Sequence, residues 1–219
     1  SYNDYLTCIE PLPKEKGALI ARKIPSASEK IVKIEKLVDS GSIKWKGDPD
    51  DWFQFRVPDM FSVYREDVYV EDENGWTINT PGEAGCWLTF EMPVQMVGFP
   101  YIEINAPKGT IIEIITQEAH DPDKTMWMDN HYFTWTRFIC KEGLNRFESF
   151  DYESFRWVQV HIRKVDGPVT ILGLGIRRRM YAWEHLPDIK MSDPDMQKLL
   201  DSSVNTQINS AVDSIVDGM

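Results

Sequence analysis

The sequence predicts a mainly β protein: an antiparallel two-sheet β-sandwich followed by one long C-terminal amphipathic helix. Three observations predict it. Short runs alternate apolar and polar residues with period two, as in Tyr101-Ile102-Glu103-Ile104-Asn105-Ala106. Turn chemistry separates the runs at Pro107-Lys108-Gly109, Gly143 and Asp166-Gly167-Pro168. After Pro194 the apolar spacing changes to steps of three and four.

Residues 1–30 read as an N-terminal segment and linker, with Pro25-Ser26-Ala27-Ser28 its most linker-like stretch. The sandwich is expected over residues 31–185. Ile31 to Val38 is its first strand candidate, although its Lys and Glu content also tolerates a helix. Trp52 to Val57 and Trp87 to Met92 follow. Tyr101 to Ala106 and Thr110 to Thr116 read as a hairpin through Pro107-Lys108-Gly109. His131 to Cys140 and Arg146 to Phe150 read as a second one. Phe155 to Ile162 places Val158, Val160 and Ile162 on one face, and Val169 to Ile176 completes the set.

Residues 186–219 read as a linker and a helix. Met196, Leu199, Leu200, Val204, Ile208, Ala211, Val212, Ile215 and Val216 form one apolar stripe. Ser192 is a candidate cap, Pro194 suits the first turn, and Asp195 stands in the capping-box position. A lone amphipathic helix after a β domain needs something to cover its stripe. The stripe is expected to be hidden against the sandwich, in a homodimer through the exposed helix, or by fraying of the helix; a dimer contact would be isologous, stripe on stripe.

Composition excludes several classes. The 219 residues carry 24 Lys and Arg against 35 Asp and Glu, a net charge of −11. That balance disfavours phosphate backbones and anionic membrane surfaces, so neither a nucleic-acid nor a membrane partner is expected. No apolar run approaches the ~20 residues of a membrane helix. Cys8, Cys86 and Cys140 are too few and scattered for a disulfide framework or a zinc site. No nucleophile elbow, P-loop or glycine-rich dinucleotide turn occurs, and no cofactor or metal is expected. The chain lacks an initiator Met and reads as a processed or excised piece.

Three clusters could carry chemistry. Glu118-Ala119-His120-Asp121, with Asp123, Asp129, Asn130 and His131 beyond it, lacks the spacing of a calcium loop or a two-histidine metal face. It reads as a solvated acidic loop. Arg177-Arg178-Arg179 is a basic run at a strand end, suited to domain-contact salt bridges or a carboxylate-bearing partner. Met126-Trp127-Met128 is the sharpest aromatic cluster. Trp127 is the most loop-like aromatic and the candidate for stacking on a sugar ring, against a packing role in the core.

Several segments resemble bacterial α-L-rhamnosidases of glycoside hydrolase family 78. Leu88-Thr89-Phe90, Val97-Gly98-Phe99-Pro100 and Ala106-Pro107-Lys108-Gly109-Thr110-Ile111-Ile112-Glu113-Ile114 resemble that family's F-G-x-x-x-x-G-Y-P and A-P-x-G-T-x-I-E-L patterns. Phe150 to Val158 is similar to its F-x-Y-x-G-F-R-Y-V segment, with Ser154 in place of the glycine. The helix bearing Asn205, Thr206 and Asn209 resembles the first helix of the family's (α/α)6 catalytic barrel. Leu12-Pro13 and Ala21 to Pro25 are a weaker echo.

The resemblance implies that this chain is the accessory sandwich plus the first barrel helix, ending just before the active-site segment. Asp217 would match the family's sugar-contacting Asp, with Gly218 and Met219 replacing its Cys and Pro. The general acid and base would lie beyond Met219, so no catalytic residue is assigned in this chain. The implied partner is a carbohydrate, a rhamnose-containing glycan held by the barrel. The competing expectation is a stand-alone carbohydrate-binding or cell-surface interaction module whose helix oligomerises.

Overall fold

The computed structural model describes residues 26–47, 61–78, 85–128 and 135–211. The strands are β1 (Ser28–Lys33), β2 (Lys36–Trp45), β3 (Phe61–Arg65), β4 (Tyr69–Asp72), β5 (Gly75–Ile78), β6 (Cys86–Ala106), β7 (Ile111–Gln117), β8 (Trp135–Ile139), β9 (Gly143–Glu148), β10 (Glu153–Arg163) and β11 (Val169–Met180). Helix α1 (Pro194–Ser210) follows. The candidate strand Trp52 to Val57 lies outside the described residues. The ambiguous segment Ile31 to Val38 is strand throughout except for a break at Ile34-Glu35.

All pairings are antiparallel, and they form two layers. One runs β3-β2-β6-β10-β7-β8. The other is built on β11, which pairs β6 along one edge and β5 then β1 along the other. There β4 lies outside β5 and β9 outside β6. Strand β6 therefore belongs to both: Cys86 to Gly98 pairs β10, whereas Phe99 to Asn105 pairs β11. The registers of β10 on β6 jump from Met96 to Glu91, so Met92-Pro93-Val94-Gln95 bulges out of the ladder. Proline lacks the N–H a ladder needs, which suits Pro93 to that stretch.

Both expected hairpins are corrected. The turn at Pro107-Lys108-Gly109 forms, with Gly109 at φ 90° and the Thr110 N–H donating to Pro107 O at 3.3 Å. Strand β7 nevertheless pairs β10 and β8, not β6. Likewise β9 pairs β6, not β8, after a corner closed by Asn145 on the Lys141 N–H and C=O, each at 2.9 Å. Both turns carry the chain from one layer to the other. A period-two pattern and a turn look the same whether the next strand returns alongside or crosses the core.

Between the layers lie Leu88, Phe90, Ile102, Ile104, Ile112, Ile114, Val158, Val160, Ile162, Ile171, Leu174 and Ile176, among others. Each such side chain contributes roughly 1.5–3 kcal/mol when fully buried. The half of β6 from Cys86 to Phe90 is buried on both faces, because a second cluster covers the outer side: Ile43, Phe61, Trp87, Ile115, Met128 and Trp157. That outer side carries the candidate site.

Helix α1 is capped by Asp193, not Ser192. The Asp193 carboxylate accepts from the Asp195 and Met196 N–H groups at 2.8 and 3.2 Å. Pro194 at the first helical position places the cap on the residue immediately before it. No helix residue is fully buried; Met196 is 48% and Leu199 59% exposed. The stripe expected to continue through Val212, Ile215 and Val216 lies there outside the described residues.

Candidate functional site

The outer face of the β3-β2-β6-β10-β7-β8 layer carries one cross-strand row: Arg65, Gly41, Trp87, His161, Glu113 and Arg137. Antiparallel register sets these residues opposite one another, so groups far apart in sequence become neighbours. Gly41 is required where β3 passes: a Cβ there would collide with the Tyr64 carbonyl and meet Trp87 Cζ2 at 2.8 Å. Polar residues stand in strands that otherwise read as apolar. Glu113 interrupts Ile-Ile-Glu-Ile-Ile, and Gln159 and His161 alternate with Val158, Val160 and Ile162.

Glu113 has no exposed side-chain surface. Arg137 reaches its Oε1 at 2.6 Å and Arg163 Nε at 3.4 Å, while His161 Nδ1 lies 3.8 Å from Oε2. Burial pushes the Glu113 carboxyl up, but His161, Arg137 and Arg163 together hold it below the ordinary carboxylate value. Burial pushes His161 down, against the pull of the Glu113 carboxylate. We read the pair as an ionised Glu113 between arginines and a neutral His161.

Gln159 stands beside this row, two residues before His161 on β10. Its Nε2 donates to Thr89 Oγ1 at 2.7 Å and to the Met126 carbonyl at 2.8 Å. Its Oε1 accepts from the Met128 N–H at 3.1 Å and faces His161 Nε2 at 3.0 Å. An amide oxygen only accepts, so neutral His161 carries its proton on Nε2. One buried amide thereby clamps the chain at Met126 and Met128 onto the sheet.

The clamped stretch is the loop after β7. Asp121 organises it, accepting the Lys124 and Thr125 N–H groups on its carbonyl, each at 3.0 Å. Arg65 pairs with Asp39 and donates to the Pro122 carbonyl at 2.8 Å. His120 packs edge-on against Trp157, with ring centroids 5.4 Å apart. Trp127 is half-buried, stacked on His161 and tilted against Phe61 at 4.1 Å. Among the described residues no cluster of His, Cys, Asp or Glu could hold a metal ion. Asp217 lies outside the described residues.

The helix is bonded to the sandwich through its C-terminal half. Asn205 and Asn209 both donate to the Gln95 carbonyl, at 3.0 and 3.1 Å, in the bulged stretch of β6. The Gln95 side chain in turn donates to Glu118 and Ser154, each at 2.7 Å. Of the basic run, Arg177 pairs with Glu148 at 2.6 Å and Arg178 donates to Asn209 Oδ1 at 2.7 Å. Sequence reasoning noted Asn205 and Asn209 on the helix and missed Gln159, Glu113 and His161. The available signal was polarity at alternate positions of buried strands.

No family model matches the chain, and no curated protein matches it in sequence. Solved structures share its fold. The family 78 rhamnosidase of Bacillus sp. GL1 superposes with a TM-score of 0.61 at 20% identity, over 74% of this chain and 19% of that one. The rhamnosidase from Klebsiella oxytoca, solved with rhamnose bound, superposes with a TM-score of 0.56 at 9% identity, over 88% of this chain and 37% of that one. The fold described above is thus found within both rhamnosidases, and this chain spans a minor share of either.

Proposed function

We propose that this chain is the accessory β-sandwich of a glycoside hydrolase resembling α-L-rhamnosidases, joined through α1 to a helical catalytic domain. The observation that carries the reading is the helix: it is pinned to the sandwich by two asparagines, none of its residues is fully buried, and Met196 and Leu199 are exposed. A fold shared with parts of two much longer rhamnosidases supports the same reading. Inverting hydrolysis needs a carboxylic acid and a carboxylate roughly 6.5–9.5 Å apart and free to act on substrate and water. Among the described residues, three enclosed carboxylates are otherwise engaged: Glu113 with Arg137, Asp39 with Arg65, and Glu91 with Lys36 and Arg156. The reactive pair, and Asp217 as a sugar contact, belong in this reading to the helical domain. The test compares the full-length polypeptide with this chain on an aryl α-L-rhamnoside. Turnover by the former alone is expected, and its absence from the full-length protein would remove the rhamnosidase assignment.

A direct carbohydrate contact within the sandwich is favoured at Trp127, which keeps part of its ring exposed on the outer face. Titrating this chain with rhamnose while following tryptophan emission tests it. A saturable change that disappears in Trp127→Phe supports the contact, and an unchanged spectrum ends it.

A further inference from the structure

We propose that Arg178 is the charged anchor of the surface on which the helical domain docks, and that it takes a carboxylate from that domain. The inference rests on the proposed function and names the contact that would join the two parts. Arg178 lies on β11 and is half-buried. Its Nη2 donates to Asn209 Oδ1 at 2.7 Å, while its Nε is sealed from water without an acceptor. Burial lowers its pKa, and no carboxylate among the described residues acts against that shift. The adjacent Arg177 differs, pairing with Glu148 at 2.6 Å, as do Arg65 with Asp39 at 2.7 Å and Arg137 with Glu113 at 2.6 Å. A guanidinium held partly out of water by an amide alone is costly; a carboxylate meets its planar fork with two parallel hydrogen bonds. That no carboxylate among the described residues meets Arg178, in a chain of net charge −11, is the point of complementarity.

The same residue is part of the helix anchor. Asn209 bridges Arg178 to the Gln95 carbonyl, which Asn205 also holds. At about 100° per residue, Val204, Leu200 and Met196 point roughly 100–180° away from Asn205. One side of α1 is therefore bonded to the sandwich, while on the other Met196 and Leu199 are exposed and Leu200 and Val204 half-buried, with Val94 beside the anchor 44% exposed. Apolar residues four apart form a ridge that fits the groove of another helix, so the matching partner surface is helical, with an acidic residue at the Arg178 end.

The test places Arg178→Met and Arg178→Lys in both the full-length polypeptide and this chain, with the exposed neighbour Arg179→Met as control. In the full-length protein Arg178→Met should speed hydrogen exchange of the α1 amides about ten-fold beyond its effect in this chain, with Arg178→Lys in between. In this chain alone the thermal midpoint should stay within about 2 °C, since no ion pair is lost. Equal effects in both settings, or an effect matched by Arg179→Met, would overturn the proposal. A full-length protein without added helix in its circular dichroism also overturns it. One that is helical but inactive on rhamnosides defeats the functional assignment alone, and the Arg178 result still decides the docking contact.

Discussion

Trp127 lies nearly parallel to His161, with ring centroids 4.1 Å apart and an interplanar angle of 23°. The indole acts as a lid on the imidazole. Beneath it His161 faces Gln159 and Glu113, in a space where a positive charge beyond those of Arg137 and Arg163 has little water to stabilise it. The loop, the row beneath it and the protonation state of His161 are therefore one unit.

That unit should make stability fall on the acid side. A histidine whose folded pKa is lowered stays neutral in the native state while the unfolded chain takes up a proton. Its contribution is complete above the unfolded value of about 6.5 and is lost as pH drops below it, by at most about 1.4 kcal/mol per pH unit. Glu113, also lowered, adds a loss of the same sign only below its ordinary value of 4.5. Urea midpoints at pH 8, 6.5 and 5.5 should fall in that order, with a shallower slope in His161→Gln. A flat profile would show that folding leaves the His161 proton affinity unchanged, and midpoints that rise as pH falls would show a charged His161 in the native state.

Gln159→Leu should cost about 2–4 kcal/mol, because the Met126 carbonyl, the Met128 N–H and Thr89 Oγ1 lose this partner in a buried setting and His161 Nε2 loses its facing acceptor. The loop should become the first site of proteolysis. Denaturant unfolding with limited digestion checks both; loss of stability with an intact loop would locate the damage elsewhere.

Glu113→Ala should be more damaging than Glu113→Gln. Removing the carboxylate strands the half-enclosed Arg137 and the buried Arg163, a change costing roughly 3–5 kcal/mol for a buried pair. Gln keeps a hydrogen-bond acceptor toward Arg137. Equal midpoints for the two variants would show that charge, not hydrogen bonding, is the greater part.

Asn205→Ala with Asn209→Ala should release α1 without unfolding the sandwich. Each hydrogen bond is worth about 1 kcal/mol, and no helix residue is fully buried to hold it otherwise. Helix amides should exchange at unprotected rates while those of β6 and β10 stay slow. Persistent protection of the helix would point to a second copy covering the apolar stripe, which light scattering would reveal.

The two-layer β character, the helix and its apolar face were legible because they are written in period and spacing. Ile102, Ile104, Val158, Val160 and Ile162 sit where alternation puts them. Which layer each strand joins was not legible, because Gly109 and Gly143 make a corner as readily as a hairpin. The buried row was illegible for a related reason: Glu113 becomes a neighbour of His161 only through cross-strand register. Trp127 was singled out from sequence for its loop position, and the residue it stacks on could not be named. The cap shifted by one residue, from Ser192 to Asp193, since both are capping types and only the position of Pro194 separates them.

Strand β6 has a mechanical consequence. Because a single backbone passes from one layer into the other at Met92 to Gln95, sliding the layers past each other would strain covalent bonds as well as side-chain contacts. Shear between sheets, ordinarily the soft motion of a sandwich, is blocked, and the remaining compliance is a rocking about Pro93. The helix is fastened beside that pivot, at Gln95, where the displacement of either layer is smallest. A domain mounted there would be carried as on the axle of a wheel, turning with the sandwich while little of its internal motion is passed on.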